Sequence, residues 1–400
     1  MRNIIIFDPK AARQNLLPIT YTRPVSFIRV GIDTIYDKWQ AALAGAWLSP
    51  LTEPYLQQKF PTRYAPDGDN TFIAGNHFPS TELCEAIAAL EPGGALVKGD
   101  ETIAFRGTKE DFENGHAATS QAFDGPTRRI FWLYDIFLMN GDALAEDFQR
   151  ITAGRASQPL SHTNLLIGDP TFPDGTSKLF IEQGASLEGV TLNVNGGPIY
   201  IGKDATIMEG SCIRAPFAAC EHSQVNMCGK IYGPTTLGPY CKVGGELNNV
   251  VMIGYSNKAH DGFLGNAVIG EWCNLGGGTT ASNLKNDYTE IKLWNYPAHR
   301  FLKTGLQFCG LIMGDHSKAG INCMFNTATV LGVGVNVHGS GFPRNFIASF
   351  SEGSTAGFTD VSLPKFFAIA ERVMARRHVS LSEADKQIFT TIYNIADSYK

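Results

Sequence analysis

Along residues 201–243 an aliphatic or small side chain recurs at every sixth position, at Ile201, Ile207, Ile213, Ala219, Val225, Ile231, Leu237 and Val243. The spacing returns in a shifted phase at Phe263, Ile269, Leu275 and Ala281, and in a third phase at Met313, Ala319, Phe325, Leu331 and Val337. A helix repeats its apolar positions about every 3.6 residues and a half-buried strand about every 2, so a pure period of six is neither. It fits a coil of three short strands per turn, each sending one side chain inward and then turning a corner. Glycine follows the inward position at Gly202, Gly238, Gly244, Gly270, Gly276, Gly314, Gly320 and Gly332, where a tight corner favours it. The pattern predicts a hexapeptide-repeat, left-handed parallel β-helix of about six coils, roughly 29 Å long at ordinary strand spacing. Two phase shifts, within 244–262 and 282–312, predict loops inserted at corners, and loops inserted in a solenoid gather on one functional face.

The first 160 residues follow another pattern. NIIIF at 3–7 reads as a buried strand closed by Asp8 and Pro9, and TFIAG at 71–75 and ALVKG at 95–99 read as further strands around a helix near 81–90. Phe27, Val30, Thr34, Ile35, Lys38 and Trp39 fall at helical spacing within 26–47. Strands alternating with helices predict an α/β domain with a largely parallel sheet. Beyond the coil, LPKFFAIAERVMARR (363–377) and SEADKQIFTTIYNIADSY (382–399) read as two terminal helices, expected to cover the prism end, where a parallel coil leaves unpaired edges. The expected divisions are an α/β domain over 1–163, the β-helix over 164–355 and a helical cap over 356–400.

Composition narrows the partners. With 44% hydrophobic and 18% charged residues among 400, the chain is globular and long enough for two or three cores. Lys plus Arg is 33 against 38 Asp plus Glu, a net charge of −5, which leaves no basic footprint for duplex nucleic acid or an anionic membrane. A phosphate-bearing partner must therefore be held by local groups. The start MRNIIIFDPK lacks the apolar core of a signal peptide, and no apolar run reaches the roughly 18 residues of a spanning helix, so a cytoplasmic location is expected. The eight cysteines form no C-x-x-C pair and are expected as reduced thiols.

Residues 259–288, AHDGFLGNAVIGEWCNLGGGTTASNLKNDY, set a His before a small turn, then an I-G hexad, an N-L-G-G-G-T turn and a closing turn with Asn. With an α/β domain ahead of the β-helix, this resembles the acetyltransferase half of the GlmU-like bifunctional sugar-1-phosphate nucleotidylyltransferase/acetyltransferases, which make UDP-N-acetylglucosamine. The likeness covers about 196–340. It implies that His260 is the catalytic base, that Asn274 binds the sugar, that Gly277 and Gly278 touch acetyl-CoA, that Asn283 closes the site, and that Arg214 lies near the phosphate-binding arginine. Phe263 stands where the family has Tyr, and only Lys258 is near the place of its upstream Lys. The amino-terminal segment resembles the nucleotidyltransferase-like, Rossmann-like fold of the same family, whose first strand leads into a glycine-rich loop. Here that loop is DPKAARQNLLPITYTRP, with no glycine; a basic set of Lys10, Arg13, Arg23 and Arg29 remains to hold nucleotide phosphate by side chain.

The chemistry asks for these residue types. In acetyl transfer the attacking amine loses a proton, and an imidazole titrating near operating pH is suited to take it, which is the role expected of His260. Backbone N–H groups of Gly276, Gly277 and Gly278 are suited to polarise the thioester carbonyl. His316, in GDHSK, is the rival base and reads as a solvated corner or a trimer contact. No two of the nine histidines are five apart, so the zinc site of β-helix hydratases is not expected. Nucleotidyl transfer in the first domain calls for Mg²⁺ held by carboxylates, with Asp8, Asp100, Asp135 and Asp142 placed to serve and no single metal ligand specified. The expectation is a sugar-nucleotide pathway transferase, a homotrimer using acetyl-CoA as co-substrate on a hexosamine 1-phosphate or related sugar phosphate, with nucleotidyl transfer as a second activity. The alternative is a nonenzymatic sugar-nucleotide binding or assembly module with degenerate sites.

Overall fold

The computed structural model describes residues 2–400 and resolves into two compact units, one of Met1–Ile28, Asp33–Trp132 and Glu383–Ile388, the other of Arg29–Ile32, Leu133–Ser382 and Phe389–Lys400. The first carries a six-stranded sheet of β1 (Asn3–Phe7), β2 (Trp47–Leu51), β3 (Asn70–Ala74), β4 (Gly94–Lys98), β5 (Glu101–Gly107) and β6 (Thr119–Ala122), ordered β2-β1-β3-β5-β4-β6. Ile4, Ile5 and Ile6 are buried on both faces of β1, as the apolar run predicts. The sheet is mixed where a largely parallel one is expected: β1 is parallel to β2 and β3, and β4 to β6, but β5 runs antiparallel to both β3 and β4. The cause is local. Gly99 at φ +58° and Asp100 form a two-residue turn between β4 and β5, which folds the chain back as a hairpin and places Asp100 in a turn. Helix α2 (Ile35–Ala42) is shorter than the spacing over 26–47 predicts: Val25–Phe27 forms a separate 3-10 turn, and Gly31, at φ +86°, keeps the intervening chain out of helix. Its start is set by a capping box between Thr34 and Asp37.

The second unit is built on a parallel β-helix. Thr206 pairs with Gln224 and Gln224 with Lys242, eighteen residues per coil, or three hexads. Ile201, Ile207, Ile213, Ala219, Val225, Ile231, Leu237 and Val243 all point into one continuous core, joined by Met313, Ala319, Phe325, Leu331 and Val337. The first phase shift turns out to be a shortening rather than an insertion: Val243 pairs with Lys258, fifteen residues on, and Glu246 with Phe263, seventeen on. Two expectations change with it. Leu264 takes the inward place assigned to Phe263, which is half-buried, and Lys258 takes an inward place between Val243 and Leu275. The second shift is an insertion as predicted: Asn274 pairs with Lys318, and the added chain includes an antiparallel hairpin of Lys292–Asn295 with Arg300–Lys303.

One corner of the prism is aromatic. His222, Tyr240, Tyr255, Trp272 and His316 occupy successive coils at φ of 54–61°, a left-handed conformation that costs a non-glycine residue roughly 1–2 kcal/mol. Their rings stack at centroid distances of 4.6, 5.1, 4.3 and 6.1 Å, contacts that offset the strain. The first terminal helix, Leu363–Ala375, lies beside this stack, with Phe366 edge-on to His316 at 5.6 Å and to Phe350 at 5.0 Å. This corrects two expectations: the helix flanks the side of the prism, while the last coil is closed by an antiparallel hairpin of Ser351–Ser354 with Gly357–Asp360, and His316 is buried at 6% exposure. The other helix begins at Glu383, which puts its N-cap place at Ser382.

Coil spacing leaves no room for a Cβ at several corners. At Gly238 an added Cβ would stand 2.0 Å from the Ile253 carbonyl oxygen, a backbone atom held in the ladder. Gly238→Ala is expected to cost about 1–3 kcal/mol, read as a lowered midpoint in thermal denaturation.

Candidate functional site

Residues 260–262 form a corner of one coil, and 276–278 form the same corner of the next, joined by the Gly278 N–H donating to the Asp261 carbonyl at 3.0 Å. Beneath it lies Lys258, 1% exposed, its Nζ donating to the Gly244 carbonyl at 3.0 Å and to the His260 carbonyl at 2.7 Å. An inward ammonium thus holds the backbone of His260, whose own side chain is exposed. Burial pushes the Lys258 amine down to about 8, against a smaller upward pull from Asp261.

The imidazole lies against Gly277, where a Cβ would stand 3.7 Å from His260 Cβ and Cγ. The three glycines differ in what fixes them. Gly276 and Gly278 face the adjoining coil so closely that a Cβ would meet the Gly320 carbonyl carbon at 2.5 Å and Asn322 Oδ1 at 2.1 Å. Their N–H groups are committed to the Ala319 and Asp261 carbonyls at 2.9 and 3.0 Å. The Gly277 N–H makes no hydrogen bond among the described residues, so one of the three expected oxyanion donors is open, and it is the one beside His260.

Asn274 is half-buried on the same coil as this turn and pairs with Asn257 on one side and Lys318 on the other. Phe263 begins the strand leaving the His260 corner. Asn283 is one face away, its Nδ2 donating to Asn266 Oδ1 at 2.7 Å at the following corner. Arg214 is exposed and follows Cys212, whose rank runs Cys212, Lys230, Glu246, Phe263, three rungs or about 14 Å from the Phe263 coil. The fold therefore gathers His260, Gly276, Gly277, Gly278, Asn274 and Phe263 and leaves Arg214 and Asn283 apart within one chain. The sequence reading missed the outward row Lys242, Asn257, Asn274, Lys318. Its signal is present, since each member immediately precedes an inward residue: Val243, Lys258, Leu275 and Ala319.

In the first unit the basic set is turned inward except for Lys10, which is exposed at the start of helix α1 (Lys10–Asn15). Arg13 is 5% exposed and donates to Asp8 Oδ2 at 3.1 Å and to the Tyr55 hydroxyl at 2.8 Å. Asp8 also accepts from the Val25 N–H at 2.8 Å and the Thr52 hydroxyl at 2.5 Å. Burial lifts the Asp8 carboxyl above its ordinary range, with Arg13 first among the groups pulling it back. Arg23 is buried and donates to the Ile19 carbonyl. Arg29, which groups with the second unit, bonds the Ile253 carbonyl at 3.3 Å. These residues do not fit a Mg²⁺ site: Asp8 is closed in by its donors, and among the described residues no group of three or more His, Cys, Asp or Glu is placed to hold a metal ion. Among the described residues no helix is long and apolar enough to cross a membrane.

Residues 4–156 match a family described as sugar nucleotidyl transferase. The bifunctional protein GlmU of Trichodesmium erythraeum (strain IMS101) is 26% identical over 140 residues, which are 34% of this chain and only a quarter, 25%, of that protein. Among solved structures, the polysialic acid O-acetyltransferase OatWY is 12% identical, covering 50% of this chain and 89% of its own, with a TM-score of 0.29, too loose a likeness to bear on fold or chemistry.

Proposed function

We propose that this chain, whose residues 4–156 match a sugar nucleotidyl transferase family, is a GlmU-like transferase whose β-helix transfers an acetyl group from acetyl-CoA to the amine of a hexosamine 1-phosphate or related sugar phosphate. What carries the reading is the juxtaposition of the exposed His260 imidazole with the uncommitted Gly277 N–H. The sugar amine attacks the thioester carbonyl carbon, the new C–N bond forms, and the C–S bond breaks. His260 takes the amine proton and returns it to the departing thiolate, so the imidazole ends as it began. Gly277 N–H stabilises the charge on the carbonyl oxygen as it develops. Phe263 and Asn274 flank the acceptor.

A trimer fits this reading. Met227 and Ile321 lie on the same corner of the prism as His260 and are 64% and 75% exposed, apolar surface of the kind a neighbouring subunit covers. Arg214 and Asn283, distant from His260 within one chain, are then groups for an adjoining subunit's groove. Thiol release from acetyl-CoA in the presence of glucosamine 1-phosphate, with the acetylated product identified by mass, tests the reading; no release with any amino-sugar phosphate overturns it.

For the amino-terminal domain a second reading, sugar-nucleotide binding or assembly without catalysis, is favoured by the closed Asp8–Arg13 cluster where the family keeps a glycine-rich loop. Calorimetric titration with UTP and Mg²⁺ separates the two, heat of binding supporting a nucleotide site and silence supporting a scaffold.

Lys258 offers a test of positioning. Lys258→Met fills the inward place without the ammonium and releases the His260 carbonyl. The fold is expected to keep or gain stability, since well-packed apolar replacements of buried charges are often neutral or stabilising, while kcat falls about tenfold with KM little changed. The amine also has a pH signature. Its folded value lies below the ordinary lysine value of 10.5, so between about 8 and 10.5 the unfolded chain binds more protons and stability rises with pH. Lys318, likewise pushed down to about 8 by burial, adds to the rise, which is therefore expected to shrink in Lys258→Met and not to vanish.

A further inference from the structure

The prism face that leads to the His260 corner carries a cavity of about 490 Å³, lined along one side by Lys242, Asn257, Asn274 and Lys318 and closed on the other by Arg376 and Arg377 just past the end of the flanking helix. Four of its lining residues are cations and none is a carboxylate. The four face residues form one outward row, Lys242 pairing with Asn257, Asn257 with Asn274 and Asn274 with Lys318, so the two lysines stand about 14 Å apart with two amides between them. Lys318 Nζ donates to the Trp272 and His316 carbonyls at 2.7 and 2.8 Å, which fixes the ammonium and leaves one of its three donors. Arg377 reaches across to Asn257 Oδ1 at 3.3 Å. Burial and the two neighbouring guanidiniums hold the Lys242 amine below its ordinary range, the mark of positive charge gathered without a partner.

We infer that this cavity is an anion site that takes the phosphate or diphosphate ester of the acceptor sugar. The inference rests on the acetyl-transfer reading for the identity of the ligand, not for its charge. Two phosphate sources exist in that reaction, the acceptor and coenzyme A. The cavity reaches Ala259, the residue before His260, and Asn274, two residues before Gly276, so an anion held here stands close to the reacting groups. In an acceptor sugar, phosphate and amine share one ring. In acyl-CoA the phosphates are separated from the thioester by the whole pantetheine arm. Tyr255 and Trp272 stack on each other at 4.3 Å and offer the cavity their edges, which suits phosphate and sugar hydroxyls better than an adenine needing a ring face.

The test is calorimetric titration of the full chain with inorganic pyrophosphate, glucosamine 1-phosphate and 3′,5′-ADP, at two salt concentrations, in wild type and in Arg376→Gln/Arg377→Gln. Both arginines lie outside the prism core, so the double variant is expected to keep its thermal midpoint. Wild type is expected to bind pyrophosphate and glucosamine 1-phosphate, more weakly at high salt, and the double variant to lose at least about tenfold in affinity for both, as the loss of charge-assisted hydrogen bonds implies. Lys242→Gln is expected to repeat the loss. No binding of either probe by wild type, or binding unchanged in both variants, overturns the site. Tighter binding of 3′,5′-ADP than of glucosamine 1-phosphate, abolished in the same variants, overturns the assignment to the acceptor. Wild type that binds both probes and transfers no acetyl group retains the anion site while the acetyl-transfer reading fails.

Discussion

His260→Ala is expected to lower acetyl transfer by about 10²–10⁴-fold, the range a positioned general base contributes. The thermal midpoint should hardly move, for two reasons visible in the corner. The side chain is exposed, and the contact that ties this residue to the fold is its backbone carbonyl, which Lys258 Nζ holds at 2.7 Å whatever the side chain. Loss of rate with the fold intact is therefore separable from loss of the corner itself. The comparison with Lys258→Met sharpens it: removal of the imidazole deletes the proton acceptor, whereas removal of the strut leaves the acceptor and loosens its aim. The measurement is thiol release under saturating acetyl-CoA, alongside the midpoint of unfolding. Turnover unchanged in His260→Ala would remove the residue from the chemistry.

The second large effect lies in the first unit. Arg13→Ala is expected to cost about 3–5 kcal/mol, because it strips the partner from a buried carboxylate. The pair is closed to solvent, with side-chain exposures of 6% for Arg13 and 4% for Asp8, so water does not replace the guanidinium. The sign of the pH dependence follows from Asp8. Its folded carboxyl already lies above the ordinary aspartate value of 3.8 through burial, and removal of Arg13, the largest of the opposing influences, raises it further. A carboxyl with a raised folded value favours the fold while protonated and loses that contribution as pH climbs from the unfolded value through the folded one. The destabilisation by Arg13→Ala is accordingly expected to be smaller near pH 5 than near pH 8. Urea denaturation at the two pH values measures it, and an equal loss at both would show that Asp8 is not the group left behind. In the same variant, UTP binding reports whether the closed cluster blocks the nucleotide site or merely sits near it.

Much of the molecule was legible before any coordinates. The six-residue period marked the inward rank over 201–243 and again over 313–337, because each rung must fill the same narrow core and a polar error there is costly. The corner glycines and the AHDG…NLGGG order placed His260 beside Gly277 because adjacent coils bring together residues about seventeen apart by necessity of the winding. The places where the reading slipped have a common cause. Phe263 fitted the period and Leu264 took the place, since a coil shortened by one to three residues keeps its stacking by moving the phase. Lys258 stood out only as lying near the place of the family's upstream Lys, yet it points inward, because two corner carbonyls accept its ammonium and only the folded coil supplies both.

What the linear chain determined by itself is the periodic part: which residues wind into a coil, where the coil is interrupted, and which turn carries the imidazole and glycines. Those follow from spacing, and spacing is a property of the chain alone. The tertiary structure decided everything that depends on groups far apart in sequence meeting in one place. It committed Arg13 to Tyr55, opened one amide of three, and set Arg376 and Arg377 opposite Lys242, more than a hundred and thirty residues away. Charges brought together at low dielectric change one another's chemistry, and no local pattern records that meeting.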